Sequence, residues 1–106
     1  MKLVALLYLE EDAPSVAKLL KEHGVMAYSR LPLEGHGAGM KGWLGEVAPY
    51  QSHMDFALLA AEKAEELMEA VAKCDRCQDS RHPIHALQVD VEKAVQSGVS
   101  ISNLNK

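Results

Sequence analysis

The feature that most constrains the fold is an unbroken apolar run near the start of the chain, Leu3-Val4-Ala5-Leu6-Leu7-Tyr8-Leu9. Such a run has the length of a strand, and its lack of polar alternation predicts a strand that is covered on both faces. The acidic residues 10–12 follow at once, so the run is too short to span a bilayer and lacks the layout of a signal peptide. We therefore expect a buried strand in a cytoplasmic domain.

The pattern after this strand predicts five further elements. Asp12 can cap a helix that carries Pro14 in its first turn and ends at Gly24. The later segments read as a strand over 25–33, a strand over about 53–59, a helix over 60–73 and a strand over about 84–91. This order predicts an α+β fold, the ferredoxin-like βαββαβ sandwich. The fold leaves one sheet face open, and because no spare helix remains we expect self-association to cover it.

Composition limits the classes of function. The chain has 106 residues, 48% of them hydrophobic, which predicts one domain over 1–96 and a polar tail over 97–106. The net charge of −4 argues against nucleic acid or an anionic membrane as the main partner. We find no convincing set of nucleophile, base and orienting group, so we expect no enzyme.

Residues 34–52 form a glycine-rich segment between the second and third predicted strands. It carries Gly35, Gly37, Gly39, Gly42 and Gly45. A segment of this kind inside a compact domain is usually a mobile, functional loop. Trp43 and Leu44 are large and apolar, which suits contact with a protein partner. The alternative is that Trp43 packs back onto its own assembly.

The run from Cys74 to His85 reads C-x2-C-x4-H-x2-H and contains both cysteines. Thiolates and imidazoles at such spacing suit Zn²⁺ or Cu⁺. Cys74, Cys77, His82 and His85 are therefore candidate metal ligands. His82 and His85 would point to opposite faces of a strand, so one subunit closes a four-ligand site only if His82 is still in the loop. A reversible Cys74–Cys77 redox switch and the absence of any special role are the alternatives.

Several segments resemble PII signalling proteins. They are Gly24-Val25, Arg30-Leu31-Pro32, Gly35-His36-Gly37, Lys41-Gly42 and the ending Val91-Glu92-Lys93-Ala94-Val95 with Gly98. The resemblance covers about residues 2–98. It implies a homotrimer with inward-facing sheets, ligand sites between subunits, and a loop that docks on a partner. Gly35, Gly37 and Lys41 become candidate ligand-binding residues.

The chain also departs from that family. The Cys/His run replaces a glycine-rich phosphate-holding turn, and Gln96 and Ser97 stand where basic residues are expected. What remains is similar to divergent PII-like proteins, some associated with metal-cation or bicarbonate transport, and to the related CutA group. We therefore expect a trimeric, metal-responsive regulator of a membrane transport system that signals through loop 34–52. A nucleotide- or bicarbonate-responsive regulator with Arg81 holding phosphate, and a metal-storage or detoxification module, are the alternatives.

Overall fold

A computed structural model describes residues 1–37, 44, 46–47, 49–74 and 82–100. In chain order its elements are β1 (Lys2–Leu9), a 3₁₀ turn (Glu10–Asp12), α1 (Ala13–Glu22), β2 (Ser29–Gly35), β3 (Tyr50–Leu59), α2 (Ala61–Lys73), β4 (Ile84–Asp90), β5 (Val95–Gln96) and β6 (Val99–Ser100). The predicted α+β class and βαββαβ order are confirmed. None of the helices in the described ranges is long and apolar enough to cross a membrane.

The four long strands form one antiparallel sheet in the order β2-β3-β1-β4. The apolar strand β1 is internal and pairs along its length with both β3 and β4. The edge strand β2 begins four residues later than predicted and continues to Gly35. It contains Pro32, which an edge strand tolerates because one side of its backbone donates no ladder hydrogen bond.

The core lies between the sheet and the two helices. Val4, Leu6 and Tyr8 of β1 pack in one cluster with side chains of both helices. The apolar helix residues that recur at helical spacing are buried or partly buried in this cluster; they are Val16, Leu19, Leu20, Ala64, Leu67, Met68 and Val71. Burial of each large apolar side chain contributes about 1.5–3 kcal/mol, which makes this face the main source of stability.

The opposite face of the sheet, which we call the open face, is also apolar. The register places on it Leu3, Ala5, Leu7, Leu31, Leu33, Met54, Phe56, Leu58, Leu87 and Val89. Neither α1 nor α2 lies on this face, and Leu87 and Val89 are 43% and 55% exposed. This is why β1 has no polar alternation: both of its faces carry apolar side chains.

Helix α1 begins and ends where the sequence predicts, but one of the expected end contacts is not made. Gly24 follows the C-cap residue His23 with φ of 72°, and its N–H donates to the Lys21 carbonyl. Asp12 occupies the N-cap, but its side chain makes no capping hydrogen bond. Asp12 is thus at the predicted N-cap position, but the expectation that its side chain caps the helix is wrong. Its carboxylate is hydrogen-bonded to His82 instead.

The start of the predicted tail is paired. Val95 and Gln96 pair with Ser100 and Val99 across a two-residue turn in which Gly98 has φ of 77°. A glycine in a left-handed conformation matches the twist of a tight hairpin. The domain boundary at residue 97 stays a prediction, and residues 101–106 of the polar tail lie outside the described residues.

Candidate functional site

The topology brings the two segments singled out from the sequence to one end of the sheet. Strand β2 ends there at Gly35, paired with Tyr50 at the start of β3. Strand β1 also ends there, and β4 begins there with Ile84 paired to Tyr8. The glycine-rich loop and the Cys/His run therefore leave or enter the sheet at the same end, which we call the loop end.

A buried ionic network ties three strands together within the sheet, and its Arg30–Asp55 pair lies five residues along β2 and β3 from the loop end. Asp55 on β3 is 2% exposed and accepts hydrogen bonds from the Tyr8 hydroxyl (2.7 Å) and from Arg30 Nε and Nη2 (2.8 and 2.9 Å). The guanidinium of Arg30 also lies over the rings of Tyr8 and Tyr28. Burial, together with the Asp55 carboxylate, raises the pKa of the Tyr8 hydroxyl. The network is satisfied internally, so its role is to fix β2 against β3 within the sheet.

An open cavity of about 420 Å³ lies at the loop end. Its lining combines carboxylates from two parts of the chain with aromatic and apolar side chains; the residues are Leu9, Glu10, Glu11, Glu46, Tyr50 and Gln51. Gly35 stands opposite Tyr50, and a Cβ at Gly35 would overlap the Tyr50 ring. A larger residue at this predicted ligand-binding position would therefore force the Tyr50 ring to move. The ligand role predicted for Gly35 stays a prediction.

Next to this cavity, His82 lies between two carboxylates. Its Nδ1 is 2.9 Å from Asp12 Oδ1 and 3.9 Å from Glu11 Oε1. His82 precedes β4 and is therefore still in the loop. The 3₁₀ turn after β1 supplies both acidic residues, so two segments distant in sequence meet here. Imidazole and carboxylate groups in this arrangement can share a proton or bind a cation.

The predicted Cys/His ligand set is only partly described. Cys74 is the C-cap of α2 and is disulfide-bonded, so a thiolate site there requires reduction of the protein. His85 lies on the open face opposite Leu7, and burial lowers its pKa. Cys77 and Arg81 lie outside the described residues. The thiolate site therefore remains a prediction.

A different set of candidate ligands meets in space. Within the described ranges, the group of three or more candidate ligands whose donor atoms lie close together consists of Glu11, Asp12 and His82. It includes neither Cys74 nor His85. Of the four predicted metal ligands, His82 is thus the one that the described structure places beside other ligand-type groups.

The loop residues give a mixed result. Leu44 was predicted to contact a protein partner, but it is 3% exposed, so this apolar side chain is buried within its own chain. Its role in docking is left as a prediction. Trp43 and Lys41 lie outside the described residues, as do the glycines at 39, 42 and 45. Gly37 is described, and its predicted ligand role is untested.

Sequence reasoning missed the acidic part of the site. Glu10, Glu11 and Asp12 were read as the end of a strand and a helix cap. The signal that could have found them is the position of three consecutive acidic residues at the carboxyl end of a buried strand. His82 follows Asp12 by 70 positions along the chain, so no local pattern encodes their proximity.

Comparison with known proteins supports the fold. No protein-family model and no curated protein sequence matches the chain. Among solved structures, a PII-like signalling protein from Thermus thermophilus superposes with a TM-score of 0.62 at 16% identity over 85% of each chain. CPII, a nitrogen regulatory PII-like protein from Thiomonas intermedia K12 bound to ADP, AMP and bicarbonate, gives 0.58 at 17% identity, covering 89% of this chain and 94% of its own. Its apo form gives 0.58 at 18% identity, covering 85% and 89%. The chain therefore has the fold of the PII-like signalling proteins.

Proposed function

We propose that this chain is a PII-like regulatory protein that binds a small ligand at the loop end and signals through residues 34–52. The observation that carries the proposal is the convergence of this loop, the cavity and the Cys/His run at one end of a PII-like sheet. A ligand bound there contacts the base of the loop directly. It can therefore shift the loop between free and docking-competent states. No catalytic role is assigned to the site.

The proposed assembly is a homotrimer closed through the open face. The apolar residues of that face lie on all four strands, and Leu31, Leu87 and Val89 are substantially exposed in the single chain. Symmetric association of identical sheets removes this surface from water. Light scattering coupled to size-exclusion chromatography tests the assembly. Leu87→Glu should convert the trimer to monomer, whereas Glu69→Gln on the exposed face of α2 should leave it unchanged. A wild-type monomer would refute this part of the proposal.

The proposed ligand is a metal ion, Zn²⁺ or Cu⁺, held by Cys74 and Cys77 in their reduced form with His82 or His85 assisting. Support comes from the softness of the thiolates and from the position of Cys74 at the end of α2 near the start of β4. The proposed partner is a membrane transport system, and the proposed compartment is the cytoplasm. Native mass spectrometry of the reduced protein with Zn²⁺ and Cu⁺ should show adducts that Cys74→Ser/Cys77→Ser removes. Equal uptake by this variant would rule out the thiolate site.

A second candidate is a nucleotide- or bicarbonate-responsive regulator. The structure of CPII, which shares the fold, was determined with ADP, AMP and bicarbonate. In this case Arg81 and backbone amides near it hold the anion. Reversible formation of a disulfide between Cys74 and Cys77 would then change the conformation of this anion-binding segment. The same mass-spectrometric experiment with ADP, AMP and bicarbonate separates the two candidates: nucleotide adducts without metal adducts favour the second.

A metal-storage or detoxification module is the remaining alternative. Replacement of residues 36–48 by a short glycine-serine linker distinguishes it from a regulator. A storage protein keeps its full metal capacity and its full protective effect in cells after this change. A regulator keeps its metal capacity but loses the response of the transport system, measured as ligand-dependent uptake by the cells.

A further inference from the structure

We propose that Glu11, Asp12 and His82 form a binding site for a divalent transition-metal cation such as Mn²⁺, Co²⁺ or Zn²⁺. The site uses neither cysteine, so it is separate from the thiolate site predicted from the sequence. It deepens the metal-responsive part of the proposed function, and it rests on that proposal only for its regulatory consequence. Binding itself follows from the geometry of the three side chains.

The donor atoms are spaced as a small cation requires. One atom from each of the three side chains lies within 4.8 Å of the other two, and His82 Nδ1 is 2.9 and 3.9 Å from the two carboxylates. With metal–ligand bonds of about 2.1 Å, the ligand atoms of one cation lie roughly 3–4 Å apart. A cation is therefore accommodated by small side-chain rotations, with no change in the backbone.

Asp12 provides a second observation that points to a missing partner. Its side chain is 12% exposed, and its Oδ2 is buried without a hydrogen-bond partner. Asp12 occupies the N-cap of α1, where a carboxylate normally accepts backbone N–H groups, but it makes no such bond. A buried carboxylate oxygen without a partner has lost its hydration without gaining a hydrogen bond in exchange, which is unfavourable. A bound cation would supply that partner.

The surrounding charge favours a cation. Glu11 also lines the adjacent cavity, together with Glu10 and Glu46. Within the described part of the chain, no lysine or arginine forms an ion pair with Glu10, Glu11 or Asp12. The N-terminus of α1 carries a partial positive charge of about +0.5, which repels a cation. The two negative charges of the Glu11 and Asp12 carboxylates exceed this partial charge. Three protein ligands leave coordination positions for water or for a ligand in the cavity.

The test is titration of the metal-free, reduced full-length protein with Mn²⁺, followed by isothermal calorimetry and by the paramagnetic resonance of free Mn²⁺. Mn²⁺ is chosen because it prefers carboxylate and imidazole over thiolate ligands. We expect one Mn²⁺ per chain, with affinity reduced about tenfold or more in Glu11→Gln and in His82→Gln. Both side chains are substantially exposed, so these variants should fold, which circular dichroism checks.

Two control variants separate this site from the thiolate site. Glu69→Gln, on the exposed face of α2, should bind Mn²⁺ as the wild type does. Cys74→Ser/Cys77→Ser should also keep its Mn²⁺ affinity, whatever it does to Cu⁺ binding. Absence of Mn²⁺ binding by the wild type, equal affinity in Glu11→Gln and His82→Gln, or loss of Mn²⁺ binding in the cysteine variant would each overturn the inference. Failure of Cu⁺ binding alone would count only against the thiolate site.

Discussion

Replacement of Arg30 by methionine should destabilise the protein strongly, because it leaves a buried charge without its partner. Asp55 is 2% exposed and receives two of its three hydrogen bonds from the Arg30 guanidinium. Removing one partner of a buried ion pair costs about 3–5 kcal/mol. The Arg30 side chain is 32% exposed, so water reaches part of the vacated space and lowers the cost to about 2–3 kcal/mol.

The assay is urea and thermal unfolding followed by circular dichroism, at matched protein concentration because self-association stabilises the folded chain. A loss of about 2–3 kcal/mol corresponds to a fall in Tm of roughly 10–20 °C for a domain of this size. Lys18→Met is the matched control, since Lys18 and Glu22 form an exposed ion pair at 3.9 Å. It should change the free energy of unfolding by less than about 0.5 kcal/mol.

A double-mutant cycle identifies the cause. Asp55→Asn removes the orphan charge, so in the Arg30→Met background it should restore about 1 kcal/mol or more, although Asp55→Asn alone is destabilising. If the two losses simply add, Arg30 and Asp55 are not coupled and the reasoning is refuted. A loss below about 1 kcal/mol for Arg30→Met would refute it as well.

Three further changes test local features. Gly35→Ala should cost about 1–3 kcal/mol, because its Cβ overlaps the Tyr50 ring, and Tyr50→Ala in that background should recover part of the loss; equal unfolding midpoints for wild type and Gly35→Ala would contradict this. Gly24→Ala should cost about 1–2 kcal/mol, because its φ is 72°, whereas Gly24→Asn should cost less; equal costs would contradict the conformational cause. Burial lowers the pKa of His85, so the unfolded chain binds more protons and stability falls as the pH drops below about 6.5. His85→Gln should flatten this dependence between about pH 7 and 5, and an unchanged slope would argue against it.

The order of elements and the faces of the helices could be predicted because they depend on local periodicity. The inward positions Val16, Leu67 and Val71 are buried as the helical spacing indicates. The apolar run of β1 predicted an internal strand, and it pairs on both sides. Element boundaries were less accurate: β2 is shifted toward the loop by a few residues, because pairing with β3 extends it to Gly35.

The site could be predicted only in part. The sequence singled out His82 but grouped it with Cys74, Cys77 and His85 as metal ligands. Residues close in the sequence can be grouped by their spacing, whereas contacts between distant segments cannot be read from a sequence. In the folded chain the Nδ1 of His82 is hydrogen-bonded to Asp12, which precedes it by 70 residues. Leu44 was expected to contact a partner because it is a large apolar residue in the loop, yet it is buried. Burial of a loop residue depends on which surface the loop meets.

Side-chain hydrophobicity at short spacing was enough to establish the class of fold, the internal position of β1 and the apolar character of both sheet faces. The meeting of polar groups, in contrast, depends on how distant segments pair. Antiparallel pairing of β1 with β4 brings the end of the first strand beside the start of the last, and so places Glu11 and Asp12 next to His82. These contacts therefore depend on the pairing of distant strands. That pairing is stabilised by burial of side chains throughout the core rather than by any local sequence pattern.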